Sequence, residues 1–154
     1  METTKTRIVF DASAKFKGIS LNDTIHQDLL LRFRKYPVAL VCDIAEMYLR
    51  IKIASDDRPF HRFLWHSMKT DQVPEEYEFN SVVFGKNSSP FQAQLVSRKQ
   101  AEMMKDSYAR AAKTVHKSTY MDDSMDSVLN DKQGIELYNQ LSQLWAKAGM
   151  YARK

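Results

Sequence analysis

The sequence predicts a domain that combines β-strands with α-helices, in which helices cover one face of a sheet. Three observations lead to this expectation. The apolar run 38–42 has the composition of a buried strand and ends in Asp43. Two adjacent acids, Asp122 and Asp123, lie among short polar residues, as at the tip of a β-hairpin. Residues 131–148 carry an apolar stripe at helical spacing, which suits packing on a sheet.

Length and composition fit one intracellular domain. The 154 residues are enough for a single domain with its own core, and four glycines with four prolines give no sign of low complexity. The net charge of +4 is compatible with a polyanionic partner but is not diagnostic of one. The single cysteine excludes an internal disulfide and fits a reducing compartment. No signal peptide or transmembrane run is visible, so we expect a protein that is neither secreted nor bound in a membrane.

The N-terminal part is predicted to contain a strand, a loop and a helix. Residues 7–11 are typical of a strand, and Arg7 is either a solvated surface residue or a ligand for a phosphate. A loop through residues 15–18 follows. Residues 24–36 predict a helix that ends before Pro37. Its expected core face consists of Leu29, Leu30, Leu31 and Phe33.

The middle of the chain is predicted to form a turn and a hairpin. After Asp43, residues 44–53 are expected to turn back over the aspartates and to continue as a half-exposed strand. Tyr48 within them is either a core aromatic or part of a site. Residues 60–65 and 77–84 predict two strands of a hairpin, joined by a polar loop.

Two longer helices and a last strand are predicted in the C-terminal half. Pro90 is suited to open a helix over residues 91–112. Gly149 fits the position that stops the helix 131–148, and residues 150–154 would begin a strand. Because the chain ends inside this pattern, we expect it to be a piece of a longer protein. The apolar stripe of the second helix consists of Ile135, Leu137, Tyr138, Leu141, Leu144 and Trp145.

Three carboxylates are the candidate functional residues. Neighbouring carboxylates such as Asp122 and Asp123 repel each other, and a chain that half-buries both usually offsets the repulsion with a cation. An Asp-Asp pair taken alone, however, is as often a solvated turn as a functional pair. Asp43 lies at the end of a predicted strand, and pairing of that strand with the hairpin would bring all three together. A hard divalent ion such as Mg²⁺, shared with a substrate phosphate, would suit them.

Three sequence blocks occur in order along the chain. They read Val-Cys-Asp-Ile-Ala-Glu-Met-Tyr at 41–48, Val-Phe-Gly-Lys-Asn-Ser-Ser-Pro-Phe at 83–91 and Tyr-Met-Asp-Asp at 120–123. Together with flanking segments that extend the likeness to nearly the whole chain, they resemble the reverse transcriptases. The resemblance is to those of BEL/Pao-type long-terminal-repeat retrotransposons in particular.

The resemblance implies an α+β fold, the right-hand polymerase palm with partial fingers, in which helices back an antiparallel sheet in two layers. The fingers would comprise residues 1–23 and 55–88, and the palm residues 24–54 and 89–154. The thumb, the connection region and the RNase H domain would lie outside the chain.

The implied activity is that of an RNA-dependent DNA polymerase within a retrotransposon Pol polyprotein. It would add deoxynucleotides to a primer 3′ end with two Mg²⁺ ions, for which Mn²⁺ can substitute. The implied partners are an RNA or DNA template-primer, a dNTP and the remainder of the Pol polyprotein, with no membrane. The implied location is a cytoplasmic retroelement particle or the nucleus.

The resemblance also implies roles for individual residues. The catalytic residues would be Asp43, Asp122 and Asp123. The metal ligands would be these three side chains and the carbonyl of Ile44. The residues that contact the dNTP would be Arg7, Ile44, Tyr48, Phe84 and Gly85. Those beside the primer end would be Tyr120 and Met121.

Two other hypotheses remain open at this point. The first is a catalytically silent retroelement remnant that binds nucleic acid or protein. Two observations favour it: the chain ends before the thumb, and the segment between Asp23 and Leu31 is shorter than in this class. An unrelated two-metal nuclease ranks lower, because it should lack the block at 83–91.

Overall fold

The computed structural model describes residues 27–69 and 71–153, together with the pairs 15–16 and 19–20. The helices in these residues are α1 (Gln27–Phe33), α2 (Met47–Arg50), α3 (Ser89–Met103), α4 (Ala109–Ser118) and α5 (Asp131–Ala146), with a 3-10 helix at Ser55–His61. The strands are β1 (Lys15–Phe16), β2 (Ile19–Ser20), β3 (Val38–Ile44), β4 (Arg62–Trp65), β5 (Glu75–Glu78), β6 (Thr119–Tyr120), β7 (Asp123–Val128) and β8 (Ala152–Arg153).

A four-stranded sheet of order β6-β7-β3-β8 forms the centre of the described structure. All its neighbouring strands are antiparallel. β3 and β7 pair over six residues, from Val38 opposite Val128 to Asp43 opposite Asp123. β8 adds to the other edge of β3 only at its last two residues. Strands β1 with β2, and β4 with β5, form two separate antiparallel hairpins.

One face of β3 packs in the core and the other is open. Leu40, Cys42 and Ile44 are buried, whereas Val41 is 52% exposed. This alternation follows from the two-residue period of a strand, so β3 is half-buried rather than fully buried as its composition predicted. The core cluster joins these three residues to buried side chains of α3, α4 and α5. The predicted α+β arrangement of helices on an antiparallel sheet is therefore confirmed.

The core faces of two helices were predicted only in part. In α1 Leu29 is buried, but Leu30 and Leu31 are exposed, since residues one and two positions further on lie about 100° and 200° around a helix. In α5 the stripe is buried at Leu137, Leu141, Leu144 and Trp145, while Ile135 is 64% exposed. Residues 24–26 of the predicted helix and the predicted strand 7–11 lie outside the described residues.

Three predicted elements differ in extent. The helix expected over 91–112 is two helices, because Met104 and Tyr108 leave the helical backbone conformation and separate α3 from α4. The half-exposed strand expected within 44–53 is replaced by the helix α2 and one isolated bridge between Lys52 and Ser81. The predicted hairpin is confirmed, but its second strand is β5 rather than 77–84.

Gly149 ends α5 as predicted. Its φ is 67°, a left-handed conformation that glycine adopts without a Cβ clash. The Gly149 N–H donates to the Ala146 carbonyl at 3.0 Å, and the Met150 N–H donates to the Trp145 carbonyl at 3.0 Å. This is the hydrogen-bond pattern of the Schellman motif. It reverses the chain toward β8, beside the end of β3.

The contrast between two residues of α5 tests this packing. We expect Leu141→Ala to lower the free energy of unfolding by about 2–5 kcal/mol, because Leu141 is completely buried and its removal leaves a cavity. We expect Ile135→Ala to lower it by less than about 1 kcal/mol. Urea unfolding measures both. Equal losses at the two positions would contradict the orientation of α5.

Candidate active site

The pairing of β3 with β7 brings two of the three predicted carboxylates together. Asp43 lies directly opposite Asp123 in the register, at the end of both strands. Both side chains occupy the open side of the sheet, since Cys42 and Ser124, the preceding and following residues, are completely buried on the other side. Two strands that are distant in sequence thus supply one carboxylate each to the same sheet edge.

A two-residue turn places the third carboxylate beside them. Tyr120 pairs with Asp123 across the hairpin, which leaves Met121 and Asp122 as the turn. Met121 has a φ of 57°, an unusual conformation for a non-glycine residue. The Ile44 N–H donates to the Asp122 carbonyl at 3.0 Å, so the turn is bound to the end of β3. The predicted hairpin tip is confirmed.

The carboxylates interact electrostatically. Partial burial raises the pKa of Asp123, and the charges of Asp122 and Asp43 raise it further. Burial raises the pKa of the Cys42 thiol to about 11, with contributions from Asp43 and Asp123. Because Cys42 is completely buried and protonated at neutral pH, it is an inert core residue.

Arg153 was not predicted as a site residue. Its Nε donates to Asp43 Oδ2 at 3.0 Å, an ion pair that connects β8 to β3. The two residues face each other in the register. The sequence predicted a strand at 150–154 but carried no signal for its partner, since the pairing depends on where α5 ends and turns.

Tyr48 and Phe84 form the aromatic part of the site. Their ring centroids are 4.6 Å apart at an angle of 59°. Tyr48 packs partly against the core, and Phe84 is 72% exposed. Burial raises the pKa of Tyr48, and the charges of Asp122 and Tyr120 add to this, so its hydroxyl lies within electrostatic reach of the hairpin. Gly85 beside it has a φ of 87°, which favours glycine.

The remaining predicted residues lie around the hairpin or outside the described structure. Tyr120 is partly exposed on β6, and the Met121 sulfur accepts a weak contact from Gln94 Nε2 at 3.8 Å. Gln94 belongs to α3, so that helix supports the turn. Arg7 lies outside the described residues.

The sequence model of one family, described as reverse transcriptase (RNA-dependent DNA polymerase), matches residues 3–154. The chain belongs to this family. Reverse transcriptases are RNA-directed DNA polymerases with a palm-type fold, and they bind a template-primer and dNTPs. A comparison with curated proteins found no match. No helix in the part of the chain that the structure describes is long and apolar enough to cross a membrane.

Reverse transcriptases generally use divalent metal ions, and the donor set at this site fits such an ion. Three carboxylates meet at one sheet edge, and their mutual repulsion is what a hard cation would relieve. In the described residues, however, no group of three His, Cys, Asp or Glu side chains is arranged to bind a metal. Asp43 is instead paired with Arg153. Binding would therefore require the side chains to rotate.

The repulsion among the three carboxylates predicts that a neutral residue in place of Asp123 stabilises the fold. In EDTA we expect Asp123→Asn to raise the melting temperature, because the substitution removes a charge that Asp122 and Asp43 repel. Solvent screening limits the gain to about 1–3 °C. Differential scanning fluorimetry measures the shift. Asp71→Asn, at an exposed position with no ion pair to another described residue, is the control and should change nothing. A lower melting temperature for Asp123→Asn would contradict the prediction.

Proposed function

We propose that the chain is the fingers and palm part of a BEL/Pao-type retrotransposon reverse transcriptase, which adds deoxynucleotides to a primer 3′ end on an RNA or DNA template. The observation that carries this proposal is the register of β3 with β7. It sets Asp43 opposite Asp123 and bonds Asp122 to Ile44 in a chain of the reverse transcriptase family. The blocks at 41–48 and 83–91 support the BEL/Pao assignment.

The proposed catalytic residues are Asp43, Asp122 and Asp123. With the carbonyl of Ile44 they would hold two Mg²⁺ ions, or Mn²⁺, which when bound activate the primer hydroxyl and neutralise the leaving pyrophosphate. Asp43 must first exchange its bond with Arg153. That exchange is feasible, because Arg153 is largely exposed and exposed ion pairs contribute only about 0–1 kcal/mol.

The aromatic pair would receive the nucleotide. Tyr48 is held by α2 and the core, so its ring would stack under the incoming sugar and leave no space for a 2′-hydroxyl. Phe84 and Gly85 would line the same pocket, where the absence of a Gly85 side chain lets the ligand approach the backbone. Tyr120 and Met121 would contact the primer end. Arg7 would bind the triphosphate through its guanidinium.

The proposed domain boundaries follow the same logic. Residues 1–23 and 55–88 would form the fingers, and residues 24–54 and 89–154 the palm. The β4–β5 hairpin forms its own two-stranded sheet, separate from the central one, which supports its assignment to another subdomain. The proposed further partner is the remainder of a Pol polyprotein, in a cytoplasmic particle or in the nucleus.

A catalytically silent remnant is the second candidate. The bond between Arg153 and Asp43 favours it, because this bond neutralises one of the three carboxylates. In this case the chain would retain the fold and would bind nucleic acid or protein without polymerising.

Primer extension tests the proposed function. With Mg²⁺, dNTPs and an RNA template annealed to a labelled primer, we expect extension by the chain. Asp122→Asn with Asp123→Asn should reduce it at least about 100-fold, because the substitutions remove two of the charges that bind the metal. Asp71→Asn is the matched control for one lost exposed carboxylate and should retain activity. Absence of extension, with no thermal stabilisation by Mg²⁺ plus dNTP, would favour the remnant.

The role of Tyr48 gives a separate prediction. We expect Tyr48→Val to increase the ratio of ribonucleotide to deoxynucleotide incorporation at least about tenfold, since the smaller side chain leaves space for a 2′-hydroxyl. Single-nucleotide extension with dCTP and CTP yields kcat/KM for each. Tyr151→Val, at an exposed tyrosine in contact with Arg50, is the control and should leave the ratio unchanged. An unchanged ratio in Tyr48→Val would refute the role.

A further inference from the structure

A basic cleft lies beside β7, between the end of α1 and the helix α4. It has a volume of about 120 Å³. Five of the side chains that line it are cationic: Arg32, Lys35, Arg110, Lys113 and Lys117. Asp126 is the one acidic side chain in its lining. The lining of the cleft therefore carries an excess of positive charge.

The sequence builds the cleft from two elements. Lys113 and Lys117 lie three and seven positions after Arg110 in α4, so the three side chains project from one face of that helix. The opposite wall follows α1 and is fixed to β7 by Ser127. Its hydroxyl donates to the Arg32 carbonyl at 2.5 Å and accepts from the Tyr36 N–H at 3.1 Å. The walls are thus bonded to the same strand.

Two of the cations in the cleft, Lys113 and Lys117, are not balanced by an acidic group of the described residues. The Asp126 carboxylate is already bonded to Thr114 at 2.6 Å and to Arg110 at 3.3 Å. Among the described residues, no acidic group lies within 4 Å of the ammonium groups of Lys113 or Lys117. Like charges four positions apart on a helix are destabilising. An anion in the cleft would relieve this repulsion.

Two neighbouring features suit a nucleic-acid strand. A second cavity of about 370 Å³ shares Tyr36 and Arg110 with the cleft. The partly exposed Tyr36 ring at this junction, with the Lys35 ammonium 5.1 Å from its centroid, offers an aromatic surface for a base.

We propose that this cleft binds the phosphodiester backbone of single-stranded nucleic acid, at a site separate from the three carboxylates. Asp126 is three residues from Asp123 along β7, which is about 10 Å in a strand, and odd spacing directs the two side chains to opposite faces of the sheet. A strand bound here lies along the helix-covered side of the domain. The inference does not depend on the proposed catalysis.

Binding of a fluorescein-labelled 20-nucleotide poly-uridine RNA tests the proposal, by fluorescence anisotropy in EDTA without dNTP. Lys113→Ala with Lys117→Ala should weaken binding about tenfold at low salt. It should also reduce the slope of log affinity against log salt by about 1.4, because each lost contact to a single strand contributes about 0.7. Alanine favours the helix, so the double variant should fold, which circular dichroism checks.

Lys132→Ala with Lys147→Ala is the matched control, since it removes two exposed lysines, one in the first turn of α5 and one at its C-cap, and none from the cleft. The control should keep the wild-type slope. An equal loss in both double variants, or no loss in the cleft variant, would overturn the proposal. Asp122→Asn with Asp123→Asn should still bind the RNA. If this variant loses primer extension but still binds the RNA, the test of catalysis and the test of the cleft are independent of each other.

Discussion

The antiparallel pairing of β3 with β7 is the constraint on which the rest of the structure depends. Six residue pairs bind two segments whose paired residues are 80 to 90 positions apart, and the ladder ends at Asp43 and Asp123. The same alternation that buries Leu40, Cys42 and Ile44 under the helices leaves Asp43 on the open side. The core and the candidate site therefore lie on opposite faces of the β3–β7 ladder. The helices that bury one face of this ladder also hold the carboxylates on the other face in place.

The carboxylates of the candidate site repel one another, and this repulsion lowers the stability of the fold. Three carboxylates share one edge of the sheet, and the charges of Asp43 and Asp122 oppose the ionisation of Asp123. Arg153 relieves part of the repulsion from the neighbouring strand, at a position exposed enough to be displaced. An arrangement of this kind exchanges stability for the capacity to bind cations, which is typical of sites where charge is concentrated for function.

Local patterns predicted what depends on a few adjacent residues. The hairpin tip at Asp122, the strand that ends in Asp43 and the helix stop at Gly149 were all visible, because turn chemistry and strand composition act over short distances. Exposure of Ile135 and the bond from Arg153 to Asp43 were not visible. Both depend on the contacts between elements that are distant in sequence. The period of an apolar stripe does not define which of its edges faces the core.

The hairpin turn has a consequence for how this chain can vary in length. Side chains alternate along β7, so one residue inserted between Asp123 and Val128 would rotate Asp123 toward the core. Loops such as the one between β4 and β5 lie on a separate sheet and impose no such parity. Related sequences should therefore gain and lose residues freely in that loop. The number of residues from Asp123 to Val128 should stay constant.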